Sequence, residues 1–327
     1  MFFGLPDEAV ALRDGLREVL DSACVPATIR AAWDGDPCEA LWKALGDFGV
    51  IGVLVPEDRG GLGLDALSFV AAMEEAGYHG VPGPLVETTA YAPSLDLPLD
   101  GSARLAVQRD EVVPYAAVAT HVYAEADGRL LDGITATPEE TVDRSRQAAR
   151  VQGTPIGPPP ELELVSQEEY LARHDGRPHA IPSQLATLGT AAFLLGLARR
   201  QVDLTVGYVK ERHQFGVPIG SFQAVKHPLA DAVVGSELAW PAVLRAAHSL
   251  IVDSSADLHV SMAKALASDA AYRVSRVCLQ AHGAMGYTVE YDLHLFAKRT
   301  WALSKDWGTA SAHRRIIARN LGIGGYR

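Results

Sequence analysis

Three stretches of the chain combine side chains that could bind a phosphate-bearing ligand with glycines that allow close backbone approach. The first, KERHQFGVPIGSFQ at residues 210–223, reads as a helix end, two glycine turns and a new helix start. An arginine with amides at such a junction suits phosphate and adenine contacts. Taken alone, the stretch is more typical of a plain helix–helix turn with a surface arginine. Its candidate ligand contacts are Arg212, Gln214, Phe215, Phe222 and Gln223.

The second and third stretches lie nearer the C-terminus. In LQAHGAMGYTVEYDLHLFAKR a helix ends at His282, and the loop that follows begins with Gly283 and Ala284, close to the amide of Gln280. Glycine there lets backbone approach a ligand, although a glycine helix stop is very common. In SKDWGTASAHRR, Thr309 could contact a phosphate or simply cap the last helix. Neither stretch is specific by itself.

Composition narrows the class of protein. The chain has 327 residues, 48% of them hydrophobic, and a formal net charge of −11. This charge argues against a nucleic-acid or anionic-membrane surface. No run of 18 apolar residues predicts a membrane span, and the amphipathic N-terminus predicts no signal peptide. Three scattered cysteines without a CxxC motif fit a reducing cytoplasm and no zinc site.

Hydrophobic periodicity divides the chain into three parts. Residues 1–99 predict an N-terminal helical domain, because apolar positions recur at helical spacing and glycines end the runs. Residues 100–178 contain short Val- and Tyr-containing runs cut by Asp-Gly turns, which predict a small β domain, a hairpin at ADGRLLDG and a proline-rich linker. Residues 179–327 predict a four-helix-bundle domain, with a kink at Pro241. The expected fold class is mainly α with a small β domain.

The three stretches in this order and spacing resemble the acyl-CoA dehydrogenase family. RHQFGVPIGSFQAVKHPLAD is followed about 55 residues later by QAHGAMGYTVEY, and a Gly-Thr pair precedes the final helix. GVIGVLVPEDRGGLGLDALSFVAAMEEAG resembles the N-terminal helical domain of that family. The resemblance covers the whole chain and rests on the joint occurrence of these motifs.

The resemblance implies FAD-dependent α,β-desaturation of a fatty-acyl or sterol-side-chain CoA thioester. This chemistry needs a carboxylate that takes the α-proton as general base. It needs hydrogen bonds to the thioester oxygen as enolate charge develops. It also needs a flavin that accepts the β-hydride, which is the cofactor's own chemistry.

The chain departs from the family at the base. The usual glutamate just before the final Gly-Thr is replaced by Trp307, and an indole accepts no proton at neutral pH. Some members carry the base near the start of the first helix of the C-terminal domain, where this chain has Ala186 and Thr187. The nearest acids are Asp306, about 100° away around a helix, and Asp269, which is expected to be a solvated ion-pair partner. We therefore predict no catalytic base, with Asp306 as a weak fallback.

The chain also departs in the β domain, where the family's flavin-ring segment and its Trp-containing strand are not found. What it keeps are the residues that, by the resemblance, hold the adenine and pyrophosphate end of FAD across a subunit interface, although Ala284 replaces the commoner second glycine. The predicted FAD contacts are Arg212, Gln214, Phe215, Phe222, Gln223, Gln280, Gly283, Ala284 and Thr309.

This pattern resembles the shortened non-catalytic subunit of heteromeric acyl-CoA dehydrogenases of the actinobacterial sterol-side-chain type. The resemblance implies an α₂β₂ heterotetramer with a catalytic subunit, an acyl-CoA substrate and an electron-transfer acceptor. Two alternatives remain open. One is a self-sufficient homomeric dehydrogenase that uses Asp306 or an unrecognised base, and the other is a binding protein for acyl-CoA or a partner without redox chemistry.

Overall fold

The computed structural model of the protein describes residues 4–157, 181–252 and 256–323. Five helices precede the sheet: α1 (Asp7–Ala23), α2 (Pro26–Trp33), α3 (Glu39–Phe48), α4 (Ala66–His79) and α5 (Leu85–Tyr91). Helix α1 buries Leu12, Leu16 and Leu20, whose spacing of four places them on one face. Helix α4 is capped by Asp65, whose carboxylate accepts from the amides of residues 67 and 68. The predicted N-terminal helices are therefore present.

The small β domain is a five-stranded sheet with strand order β1-β3-β4-β5-β2. Its strands are β1 (Leu105–Gln108), β2 (Val112–Val113), β3 (His121–Ala124), β4 (Arg129–Pro138) and β5 (Ala149–Pro155). Strands β3 and β4 form the predicted hairpin, with Ala124 paired to Arg129. Strands β1 and β3 run parallel, with Gln108 paired to Ala124, so the residues that follow each strand emerge side by side. The proline-rich linker and the predicted boundary at residue 178 lie outside the described residues.

The C-terminal part is built on three long helices and two short ones. They are α6 (Pro182–Glu211), α7 (Gln223–Val252), α8 (Ala256–His282), α9 (Leu293–Leu303) and α10 (Ala310–Asn320). A short hairpin, β6 (His213–Gln214) and β7 (Val217–Pro218), joins α6 to α7. Helix α7 continues through Pro241. Helix α9 was not predicted, because it buries polar side chains such as His294, Arg299 and Thr300 among its apolar ones. The predicted fold class, mainly α with a small β domain, is confirmed.

Helix α4 crosses the first half of α6 at very short range. Gly77 and Gly196 face the opposite helix there, where a Cβ atom would lie 2.1 Å from Phe193 O and 1.9 Å from Glu74 O, respectively. The apolar first half of α6 is buried, as its composition predicts. Within the described ranges, no helix has both the length and the apolar content needed to cross a membrane.

Candidate functional site

The turn between α9 and α10 carries the indole that replaces the expected carboxylate. Trp307 has φ 53° and Gly308 has φ 99°, so both occupy the left-handed region. For a bulky L-residue this conformation costs about 1–2 kcal/mol. The hydroxyl of Thr309 accepts a hydrogen bond from Ala312 N (3.2 Å), which makes it the N-cap of α10. Of the two roles suggested for Thr309, the structure therefore shows that of helix cap.

The turn is held from behind by two buried polar side chains. Lys264 on α8 donates to Gly308 O (3.2 Å), to two carbonyls at the end of α9 and to Ser268 Oγ. His313 Nε2 donates to Trp307 O (2.9 Å). Lys264 is fully buried, because these oxygen acceptors replace water around its ammonium group. Burial lowers the pKa of Lys264 to about 8.

Trp307 points inward and is only 5% exposed. Its Nε1–H donates to Glu87 Oε1 of α5 at 3.3 Å. The guanidinium of Arg109, just after β1, lies over the indole ring at 4.4 Å from its centroid. Tyr91 packs at 6.3 Å, ring centroid to ring centroid. The indole is thus fixed by a hydrogen bond, a cation–π contact and an aromatic neighbour.

Glu87 is a residue of the candidate site to which no sequence motif pointed. It is buried, and burial followed by the nearby Asp306 carboxylate raises its pKa to about 7. A carboxyl with this pKa is the type of group that can exchange protons at neutral pH. One signal was available in the sequence: apart from His79, Glu87 is the sole charged residue between Glu75 and Asp96.

Asp306, the predicted fallback base, forms an ion pair with Arg146. Its Oδ2 accepts from Arg146 NH2 at 2.5 Å, and both side chains are largely buried. Ala186 is fully buried in α6, and the Thr187 hydroxyl donates to Ser183 O at 2.7 Å. Asp269 pairs with Arg314 on the surface, which agrees with its expected role as an ion-pair partner.

The space around Glu87 is small. A cavity of about 70 Å³ remains between the start of the β domain and the turn at Trp307. Ligand pockets for drug-sized molecules usually reach roughly 300–1,000 Å³, so this cavity is several times too small for such a molecule. A cleft of about 600 Å³ lies on the other side, lined by Arg146, Arg276 and Lys305 among others. Pro114 and Asp306 line both spaces and form the wall between them.

The first predicted stretch forms an exposed arm. Arg212 directly follows α6 as its C-cap residue, and the β6–β7 hairpin pairs Gln214 with Val217. Phe215 is 93% exposed with φ 52°, and its ring meets Phe222 edge-on at 6.2 Å between centroids. Within the part of the chain that the structure describes, neither Arg212 nor Gln214 hydrogen-bonds through its side chain to another residue. These donors are therefore available to an external ligand.

The second predicted stretch lies beside the start of α7. Gln280 and the α7 residue Ala224 line one cavity of about 380 Å³. Gln280, Gly283 and Ala284 are all exposed, and Gly283 has φ 57° with open space where a Cβ would be. Gln223, the first residue of α7, is exposed as well. The fold thus places Gln280 beside the start of α7, directly after the first stretch, whereas Thr309 lies at the turn that Lys264 holds.

Glu87 makes stability depend on pH in a defined direction. The folded protein holds the carboxyl proton more tightly than the unfolded chain, so the free energy of unfolding should fall as the pH rises from about 4.5 to about 7. In Glu87→Gln this component, about 1–3 kcal/mol, should be absent, while the amide oxygen can still accept from Trp307. Urea unfolding of both proteins at pH 5 and pH 7.5 measures it. Equal pH dependence in the two proteins would refute the raised pKa.

Comparison with known proteins agrees with this architecture. The N-terminal domain of the acyl-CoA dehydrogenase family matches residues 6–96, and its C-terminal domain matches residues 185–322. Acyl-CoA dehydrogenase IpdE2 of Mycobacterium tuberculosis is 32% identical over 311 residues, which cover 90% of this chain and 91% of IpdE2.

Two solved structures have the same fold. The ChsE4-ChsE5 complex from Mycobacterium tuberculosis matches with a TM-score of 0.80 at 22% identity, over 98% of this chain and 99% of the other. PigA with FAD and proline matches with a TM-score of 0.81 at 18% identity, over 99% and 100%. FAD is accordingly the cofactor that the family implies. By its two domain matches and its identity to IpdE2, this chain belongs to the acyl-CoA dehydrogenase family.

Proposed function

We propose that this chain is the base-lacking subunit of a heteromeric acyl-CoA dehydrogenase, in which it completes the FAD site of a catalytic partner. The assembly would be an α₂β₂ heterotetramer that desaturates an acyl-CoA thioester, with sterol side chains as the expected substrate class. An electron-transfer acceptor would reoxidise the flavin. The presence of IpdE2 and of the ChsE4-ChsE5 complex among the similar proteins supports this choice.

The buried Trp307 is the observation that carries the proposal. Removal of the α-proton requires a group with a lone pair of suitable basicity at the reacting carbon. The indole has none, and its N–H is committed to Glu87. Asp306 is committed to Arg146. The position from which a base would act in this chain is therefore occupied by side chains that have other partners.

In contrast to the buried side chains at Trp307, the polar side chains of the exposed arm are open to a ligand, and they suit the nucleotide end of FAD. Arg212 could hold a pyrophosphate oxygen, and the amides of Gln223 and Gln280 could contact the adenylate portion. The open space at Gly283 allows backbone approach. When bound, FAD supplies the group that accepts hydride from the acyl chain. The small cavity at Trp307 fits no part of this cofactor.

Glu87 favours a second candidate, a self-sufficient homomer with a non-standard base. Its burial and raised pKa suit a general base better than Asp306 does. This candidate requires Trp307 to leave the position where it shields Glu87. The third reading, a non-redox protein that binds acyl-CoA or a partner, predicts no flavin in any preparation.

The proposal is tested by producing the chain alone and together with any acyl-CoA dehydrogenase-like chain encoded beside it. Size and flavin absorbance are then recorded for each preparation. We expect flavin only in the co-produced complex, at one flavin per pair of chains. A flavin-containing, active homomer would instead establish the second candidate, and a colourless complex would establish the third.

Arg212→Ala should weaken FAD retention in that complex by about 2 kcal/mol, or roughly 30-fold in affinity, because a charge-assisted hydrogen bond to the pyrophosphate is lost. Arg319→Ala is the control, since Arg319 is exposed at the far end of α10. Flavin release on dilution measures the affinity in both variants. Equal retention in the two variants would remove Arg212 from the FAD site.

A further inference from the structure

We infer that Trp307 is a plug that closes this chain's own acyl pocket, so that the chain itself binds no acyl thioester. The inference rests on the proposed function and deepens it: an assembly would bind one acyl-CoA per pair of chains, on the partner. Trp307 then does more than replace the missing base: Glu87 and Arg109 hold its indole in place, and the indole closes the pocket.

The backbone conformation of Trp307 is the first observation that supports the plug. A large aromatic side chain in the left-handed region is an uncommon choice, because glycine or asparagine adopts that conformation with less strain. The next residue, Gly308, already has a positive φ. An added Cβ there would lie 2.8 Å from His313 Nε2, so the turn is tightly defined. Strain at residue 307 is tolerated because the indole is almost fully buried.

A latch over the indole is the second indication. Arg109 and Glu125 follow the paired ends of the parallel strands β1 and β3, and Arg109 Nε donates to Glu125 Oε2 at 3.0 Å. Glu125 Oε1 also accepts from Tyr91 OH at 3.2 Å. This chain of contacts holds the Arg109 guanidinium over the outer face of the Trp307 ring. The sheet register therefore positions the latch.

Glu87 closes the inner side. Its carboxyl meets the indole N–H, and only about 70 Å³ remains beside the two groups. Removing the indole would leave a buried space with a carboxyl at its end, suited to a planar aromatic molecule that carries one N–H donor. An engineered cavity of roughly 150 Å³ in another protein binds benzene, so an indole-sized space should bind indole.

The test compares wild type, Trp307→Gly and Trp307→Phe as full-length chains. Glycine suits the positive φ, so Trp307→Gly removes the plug without adding strain. We expect indole to raise the melting midpoint of Trp307→Gly by about 2 °C or more. Wild type and Trp307→Phe, whose pocket stays filled, should not respond to indole. An equal response in all three proteins, or none in folded Trp307→Gly, would overturn the plug.

A second measurement keeps the inference testable if Trp307→Gly does not fold. In Arg109→Ala the latch is gone while the indole remains, so hydrogen exchange of the Trp307 Nε1–H should become about tenfold faster or more. NMR follows this proton, with Trp307→Phe providing its assignment. Unchanged exchange would show that Arg109 is no latch.

Titration with octanoyl-CoA connects the plug to function. We expect no binding to the wild-type chain alone, and one octanoyl-CoA per pair of chains in the complex. Binding to the isolated wild-type chain would overturn the inference. Failure of the proposed function is distinguishable, because it appears as a complex without flavin, whereas the indole response of Trp307→Gly needs neither partner nor cofactor.

Discussion

Gly196→Ala is expected to destabilise the fold by more than about 3 kcal/mol. Helices α4 and α6 are in backbone contact at this point, and an alanine Cβ would lie 1.9 Å from Glu74 O and 2.6 Å from Tyr78 N. These atoms belong to a helical backbone, which cannot rotate away as a side chain can. Overpacking usually costs about 1–3 kcal/mol, and a rigid neighbour on the other side places this case above that range.

Gly207→Ala provides the matched control within the same helix. Gly207 is exposed on α6, and an added Cβ would meet no atom within 4 Å. Alanine should stabilise the protein there by about 0.5–1 kcal/mol, because it loses less backbone entropy on folding. Urea unfolding followed by circular dichroism gives both values. Similar midpoints for the two variants would mean that α4 and α6 do not cross so closely.

Arg299→Met is expected to cost about 3–5 kcal/mol, because it leaves a buried carboxylate without its cation. The Arg299 guanidinium forms an ion pair with Asp143 and donates to Ser145 Oγ (2.7 Å) and Val81 O (3.2 Å). Arg299 and Asp143 are both nearly inaccessible to solvent. One side chain from α9 therefore ties the N-terminal helices, the β domain and the C-terminal helices together.

Two further variants isolate the cause of that loss. Adding Asp143→Asn to Arg299→Met removes the buried charge and keeps an oxygen that can accept from Ser145, so part of the stability should return. Arg314→Met breaks an exposed pair with Asp269 and should change stability by less than about 1 kcal/mol. Urea midpoints decide the matter, and a double variant no more stable than Arg299→Met would mean that packing, rather than the unpaired charge, causes the loss.

The sequence alone identified only some of the residues of the candidate site. Trp307 and Arg212 were recognisable because each lies inside a local motif, next to Gly308-Thr309 or in the Phe-Gly turn. Glu87 and Arg109 lie far from Trp307 along the chain and match no motif. Their role depends on the sheet register and on the packing of α5 against the turn. The burial of Lys264 was not visible in the sequence either, because helical periodicity cannot show that a cation has carbonyl partners elsewhere in the fold.

The sequence by itself determined the family, the mainly α fold with its small β domain, and the indole that stands where a carboxylate is usual. These features follow from local sequence patterns, namely apolar periodicity, glycine turns and motif spacing. Only the tertiary structure decided that Trp307 turns inward, that Glu87 and Arg109 enclose it and that Arg299 joins the three parts. Such contacts depend on how distant elements pack, because burial and charge pairing are set by neighbours that the local sequence does not specify.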